Sequence, residues 1–365
     1  MGLAERLPDF PWDTLADARR AAEAHPDGIV DLSVGTPVDP TPRLAIDALA
    51  ATGDAPGYPT VWGDPATRAA IRSYLERRWG SVPLTDESVM PVVGTKELVG
   101  WLPTLLGLGA GDAVVFPECA YPTYEVGALT AGARPVALDD PTRLPADTRL
   151  VWINSPANPS GRILTLEETR AFVAAARAAG AVLASDECYG EFAWDAEPVS
   201  VLDPRVNDGD LTGLLAVHSL SKRSNAAGYR AGFVGGDPAV VQELVAARKH
   251  LGMIVPWPIQ AAMIALLADQ GHVEDQRSRY LARRATLRPA LEAAGFRVDH
   301  SEGSLYLWAT RGEDCRTSVA WLAERGILAA PGDFYGAAAA RHVRIALTAT
   351  DERIAAAAAR LTNVS

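Results

Sequence analysis

The sequence predicts an α/β protein in which a large domain on a mainly parallel sheet is followed by a smaller α+β domain. Three observations predict it. From about residue 45 to 250, short apolar runs alternate with amphipathic helical segments. Those runs are apolar throughout, as strands covered on both faces are. Beyond Gly295 the pattern turns to alternation, in Ser304-Leu305-Tyr306-Leu307-Trp308 and again in Val343-Arg344-Ile345-Ala346-Leu347. The expected division is 1–40 for an N-terminal arm that also joins the small domain, 41–265 for the large domain and 266–365 for the small C-terminal domain.

The arm carries Pro8, Phe10, Pro11 and Trp12, a composition suited to packing on another surface. The expected strands of the large domain are Val89 to Val93, Ala113 to Phe116, Leu150 to Ile153, Ala181 to Ala184, Leu214 to His218 and Ala231 to Val234. Between the first two, Leu98, Trp101, Leu102, Leu105 and Leu106 recur at helical spacing and form one apolar stripe after Gly94-Thr95. Gly107, Gly109 and Gly111 follow that helix and precede a strand, the reverse of the order that seats a dinucleotide, so they read as a helix stop and turn. Thr165 with Glu168 is a capping-box pattern, and the helix it opens should end before Gly180. From Pro258 one long helical stretch, through Gln260, Ile264 and Leu267 to Leu291, is expected to bridge the domains.

Composition narrows the function classes. The chain has 365 residues, 48% hydrophobic and 22% charged, with no apolar run long enough for a bilayer. A net charge of -11 argues against a nucleic-acid surface, which needs clustered Lys and Arg, so any anion site must be local. Cys119, Cys188 and Cys315 are odd in number and lack metal spacing, and the six histidines form no ligand pair, so neither a disulfide framework nor a metal site is expected. The first fifteen residues lack a basic region followed by an apolar one, and a cytoplasmic location is expected.

Ligands of open α/β sheets sit beyond the carboxyl ends of the strands, and the residues there form a coherent set. Gly94, Thr95 and Lys96 open a helix, whose free N–H groups and positive dipole end suit a phosphate. Tyr121 follows the next strand, where an aromatic ring could stack on a flat heterocycle. Asn154-Ser155-Pro156-Ala157-Asn158-Pro159-Ser160-Gly161 is a loop that aims an Asn side chain. Asp186, with Tyr189 close behind, ends a buried strand and needs a cationic partner. Ser219, Lys222 and Arg230 follow the run Leu214 to Val217, and a lysine buried there is costly unless its amine is used chemically, as in a Schiff base with a carbonyl cofactor.

The ordered set Tyr121, Asn158-Pro-Ser-Gly, Asp186-x-x-Tyr189, Ser219-x-Ser-Lys222 and Arg230-x-Gly232, closed by Arg344, resembles the fold-type I pyridoxal-phosphate aminotransferases of class I/II, over essentially the whole chain. The resemblance implies a seven-stranded large-domain sheet that binds pyridoxal 5'-phosphate. It implies that Lys222 is joined to the cofactor as a Schiff base and acts as the catalytic base, and that Asp186 keeps the pyridine nitrogen protonated. Tyr189 and Asn158 would bond the ring oxygen, Tyr121 would stack on the ring, and Ser219, Arg230 and the amides of Thr95 and Lys96 would hold the phosphate. Arg344 would clamp the substrate carboxylate, with Gly35 in the loop that closes over it and Asn158 and Tyr121 nearby. Tyr58 would reach the phosphate of a neighbouring subunit, which implies a homodimer and ping-pong amino transfer between amino acids and oxo acids through pyridoxamine phosphate.

The strings Ser219 to Gly232 and Lys249 to Pro256 are similar to N-succinyldiaminopimelate aminotransferases of lysine biosynthesis. Both partners of that reaction carry a distal carboxylate, for which Arg223, Lys249 and Lys96 are the candidates, Arg223 with the alternative of a surface position. Another acidic or aromatic amino-acid aminotransferase would keep the same cofactor residues, and a carbon-sulfur lyase shares the scaffold. A non-catalytic regulator on this fold normally carries an appended DNA-binding module, for which the sequence offers no segment.

Overall fold

The computed structural model describes residues 2–362. Its strands run in chain order as β1 (Val30–Asp31), β2 (Val89–Val92), β3 (Ala113–Phe116), β4 (Arg134–Ala137), β5 (Thr148–Asn154), β6 (Val182–Asp186), β7 (Leu214–Ser219), β8 (Gly232–Gly236), β9 (Arg297–Asp299), β10 (Tyr306–Thr310), β11 (Ile327–Leu328), β12 (Ala330–Pro331) and β13 (Val343–Ala346). Seven of them form the large sheet in the order β2-β8-β7-β6-β5-β3-β4. Pairing is parallel from β7 through β6, β5 and β3 to β4, whereas β8 runs antiparallel to both β7 and β2. β2, β3 and β7 are buried at every position, the double cover that their unbroken apolar character predicts.

The two faces of this sheet carry separate apolar cores. One gathers Ile71, Leu75, Val115, Leu183 and Phe233, and the other gathers Leu98, Leu102, Val114, Trp152 and Val217. A third core holds the small sheet, β12-β13-β10-β9, and the arm joins it: Leu15, Val30 and Leu32 pack with Leu307 and Ile345, and β1 pairs in parallel with β11.

Helix ends follow their side chains. Thr165 and Glu168 complete the capping box of the helix Leu166–Ala178, which stops before Gly180. The helix Thr95–Leu105 ends at a left-handed Gly107, where the chain turns toward β3.

Four expectations need correction. β4 went unpredicted because Arg134 and Pro135 break its apolar pattern, as an edge strand permits. The long helical stretch is two helices, Trp257–Ala268 and Gly271–Ala293, interrupted where Asp269 turns extended and its carboxylate accepts from the His272 N–H at 3.0 Å. Trp101 is 37% exposed and does not join the buried stripe. Burial turns instead toward Val99, because the neighbouring helix Thr123–Ala131 approaches so closely at Gly127 that a methyl group there would lie 2.8 Å from the Val99 carbonyl. β5 and β6 also run further than expected, so Asn154 and Asp186 are the last residues of strands rather than loop residues. No helix among the described residues is long and apolar enough to cross a membrane.

Candidate active site

The carboxyl ends of β6 and β7, the start of the helix Thr95–Leu105 and the inner face of the small sheet enclose a cavity of about 800 Å³. That volume accommodates a cofactor together with a small substrate. Thr95, Lys96, Tyr121, Asn158, Asp186, Tyr189, Ser219, Lys222, Arg230, Arg344 and Gly35 all line it, as expected from the sequence. Gly94 lies at its edge. Its backbone is left-handed (φ 74°), and a side chain there would collide with the Arg230 guanidinium. The helix N-terminus and Arg230 therefore approach each other across a space that only glycine leaves open.

Asp186 is 7% exposed and makes no ion pair among the described residues. The Tyr124 hydroxyl donates to it at 2.8 Å and the Cys188 N–H at 3.2 Å. Burial raises its carboxyl above the usual value, against the pull of these bonds. A cation arriving in the cavity would relieve that cost, and a protonated pyridine nitrogen is such a cation.

Lys222 sits on the four-residue helix Leu220–Arg223, which Ser219 caps by accepting from the Ser221 N–H at 3.1 Å. Its amine donates to the Gly35 carbonyl, and burial lowers its pKa, favouring the neutral, nucleophilic form. Gly35 is confined in turn, since a side chain there would strike the Tyr306 hydroxyl.

Arg344, on β13, is 3% exposed and has only neutral partners among the described residues. It donates to Asn158 Oδ1 at 2.9 Å and to the Ser33 carbonyl at 2.7 Å, lies 4.1 Å from the centre of the Tyr306 ring, and has no partner for Nε. A buried guanidinium without an anion is a receptor for a carboxylate. Asn158 gives its carbonyl to Arg344, which leaves its amide NH2 as the remaining donor. Tyr189 and Tyr306 join their hydroxyls at 3.0 Å, and burial holds the Tyr189 phenol well above its usual value.

The charge balance is one-sided. Arg19, Lys96, Arg230 and Arg344 line the cavity, beside the Lys222 amine, against Asp186 as the single carboxylate among the described residues, in a chain whose net charge is -11. Among the described residues Arg19 alone of these cations is taken by a carboxylate, Asp31 at 2.7 Å. A phosphate-bearing cofactor with a basic ring nitrogen complements both signs, so the residues present fit pyridoxal phosphate.

Three sequence candidates lie elsewhere. Arg223 is buried at 3% exposure, neither at the cavity nor on the surface, because Glu191 and main-chain carbonyls draw its guanidinium into the core. Lys249 is exposed on the helix Pro238–Leu251 and does not line the cavity. Tyr58, 98% exposed, lines a separate surface cavity of about 530 Å³ with Trp62 and Trp257. Conversely, the sequence reading gave Phe10 and Trp12 to a packing arm rather than to the site and left Tyr124, Tyr306 and Arg19 without a role there, although the alternation around Tyr306 offered a signal.

Residues 27–361 match the family "Aminotransferase class I and II". The chain is 61% identical over 362 residues to "Probable aminotransferase Rv1178" of Mycobacterium tuberculosis, covering 99% of this chain and 87% of that protein. It is 58% identical over 357 residues to the 4-dedimethylamino-4-oxo-anhydrotetracycline transaminase OxyQ of Streptomyces rimosus, covering 98% and 99% of the two chains. A solved aminotransferase from Neisseria meningitidis superposes with a TM-score of 0.90 at 30% identity over 99% of both chains. The match spans both sheets and the cavity between them, and this chain belongs to the class I and II aminotransferases, whose cofactor is pyridoxal 5'-phosphate.

Proposed function

We propose that the protein moves an amino group between glutamate or 2-oxoglutarate and a substrate with a distal carboxylate, with N-succinyl-2-amino-6-oxopimelate of lysine biosynthesis as the favoured oxo partner. The excess of cavity cations without a carboxylate partner carries this reading. A phosphate would engage Arg230 and an α-carboxylate Arg344, after which Lys96 would still lack an anion among the described residues. Lys96 alone of the three residues considered for the distal group lines the cavity. A solved Thermus thermophilus protein named as a probable N-succinyldiaminopimelate aminotransferase, 25% identical with a TM-score of 0.87, lends further support.

Bound pyridoxal phosphate supplies an aldehyde that captures amines and a ring that withdraws electrons. The chain's own groups do the rest. Asp186 would keep the ring nitrogen protonated, and Tyr189 and Asn158 would bond the ring oxygen. The Lys222 amine, when free, would be the base that takes the substrate α-proton and delivers it to the carbonyl carbon of the cofactor. Arg344 fixes the α-carboxylate, while Tyr306 and the Gly35 segment shield the reacting face from water. Tyr58, an exposed aromatic in one surface cavity with Trp62 and Trp257, fits a contact with a second copy of the chain, so the active form is proposed to be a homodimer.

A second reading comes from the 58% identical tetracycline transaminase: Phe10, Trp12, Tyr121 and Tyr306 give the cavity an aromatic wall that suits a large ring ketone. Mixing the loaded protein with N-succinyl-LL-diaminopimelate, glutamate, aspartate and phenylalanine, and following conversion of the pyridoxal form, separates the readings. The proposal expects fast conversion by the succinylated donor and by glutamate. Silence with the succinylated donor sinks the favoured substrate, and speed with phenylalanine alone would point to the aromatic wall.

A further inference from the structure

The side chain next to Lys222 leaves the cavity and enters the core. Arg223 donates to Glu191 Oε1 at 3.3 Å, to the Leu266 and Asp269 carbonyls at 2.8 and 3.2 Å, and to Ser224 Oγ at 3.1 Å. Its guanidinium lies 4.8 Å from the centre of the Tyr74 ring. Glu191, 6% exposed, accepts in addition from the Tyr74 hydroxyl at 2.8 Å and from Arg78 Nε at 2.9 Å. Burial alone would push the Glu191 carboxyl up, yet Arg78 and Arg223 outweigh it and hold it below the usual value, so the group is a carboxylate.

This ionic knot touches the active site through the backbone at two places. Arg223 directly follows Lys222 on the short helix Leu220–Arg223. Glu191 stands two residues beyond Tyr189, whose hydroxyl is in the cavity. The contact between Arg223 and Glu191 therefore ties the backbone that carries the amine to the backbone that carries the phenol. Leu266 and Asp269 give it a third anchor, at the interruption between the helices Trp257–Ala268 and Gly271–Ala293. Well-packed apolar residues generally serve stability as well as a buried ion pair does, whereas the pair adds directionality.

We propose that Arg223 and Glu191 are positioning residues for Lys222, holding its amine in register with Tyr189 through this buried pair. The inference applies to any amino donor and rests only on the reading that Lys222 carries the cofactor. A displacement of the amine by a fraction of an ångström acts on proton transfer, not on binding of the substrate carboxylate at Arg344.

The test uses the cofactor-loaded protein carrying Arg223→Met, which leaves Glu191 its partners Arg78 and Tyr74. The expected result is a fall in kcat of about 100-fold with KM for the amino donor held within about threefold. The pH midpoint of the bound cofactor's visible absorbance should move by about half a unit or more, and Arg223→Lys should recover part of both effects. A folded Arg223→Met protein with an unmoved midpoint and kcat within about threefold of the parent overturns the proposal, as does a loss confined to the melting temperature. Should that variant not fold, Tyr74→Phe removes one hydroxyl that donates to Glu191 and accepts from Trp79 Nε1, and should move the midpoint in the direction that Arg223→Lys moves it. An unmoved midpoint there overturns the proposal equally. Lys222→Ala tests the underlying reading separately, because a cofactor that borohydride still fixes to the protein in that variant would show that another residue carries it.

Discussion

Arg344 has a buried guanidinium whose partners are an amide, a carbonyl and an aromatic ring. Arg344→Ala should lower kcat/KM about 100-fold or more for donors with a free α-carboxylate, and far less for the matching amines that lack it. Equal losses for both kinds of donor, measured in initial-rate series, would remove Arg344 from substrate binding. Its place on a strand was legible in the alternating run Val343 to Leu347, whereas a part in carboxylate binding came only from the resemblance to the aminotransferases. Asp186, Lys222 and Tyr189 were legible for the related reason that polar residues follow apolar strands. Arg223 was not, since nothing local in Lys222-Arg223-Ser224 tells which of two adjacent cations enters the core. Tyr124 was hidden as well, because its bond to Asp186 joins residues 62 positions apart.

At the level of elements, the turn from β2 into the helix Thr95–Leu105 is the part most sensitive to a single methyl group. Gly94→Ala must strain a left-handed backbone and push Arg230 aside, so cofactor affinity should weaken by about 10- to 100-fold while the sheet stays folded. Equilibrium dialysis of the variant checks this, and parental affinity would show that the phosphate sits elsewhere. Six strands of the large sheet could be read as apolar runs because each is covered on both faces. The seventh, β4, is half exposed and escaped the same reading. Helix continuity across Asp269 was misjudged because a carboxylate that caps the next helix resembles any other polar residue in a periodic stretch.

In the whole molecule, buried ion pairs join distant segments. Asp39 of the strap near Gly35 accepts from Arg283 at 2.7 and 2.8 Å and from Gln276 at 2.8 Å, both on the helix Gly271–Ala293. Burial pushes the Asp39 carboxyl up, but these bonds outweigh it and hold it below the ordinary value, as Arg78 and Arg223 do for Glu191. Near pH 4 the unfolded chain then binds more protons than the native one, so this stabilisation is complete above the ordinary carboxylate range and is lost as pH falls through the depressed values. Asp186 acts in the opposite sense in the cofactor-free chain, costing stability as pH rises through its raised value. Urea midpoints of the loaded protein should be level from pH 7 to about 5 and fall steeply toward pH 3, and a level midpoint down to pH 3 would contradict the pairing. The alternation of strands and helices made the architecture legible at this scale. The covering of the cavity by Phe10 and Trp12 was not legible, because arm and cavity meet only in the folded chain.

The proposed chemistry depends on the covalent use of one amine. Borohydride reduction of the loaded protein, followed by digestion and mass spectrometry, should place the reduced cofactor on the peptide that contains Lys222, and Lys222→Ala should yield no labelled peptide and no turnover. A label on Lys96, or on any peptide without Lys222, would contradict it.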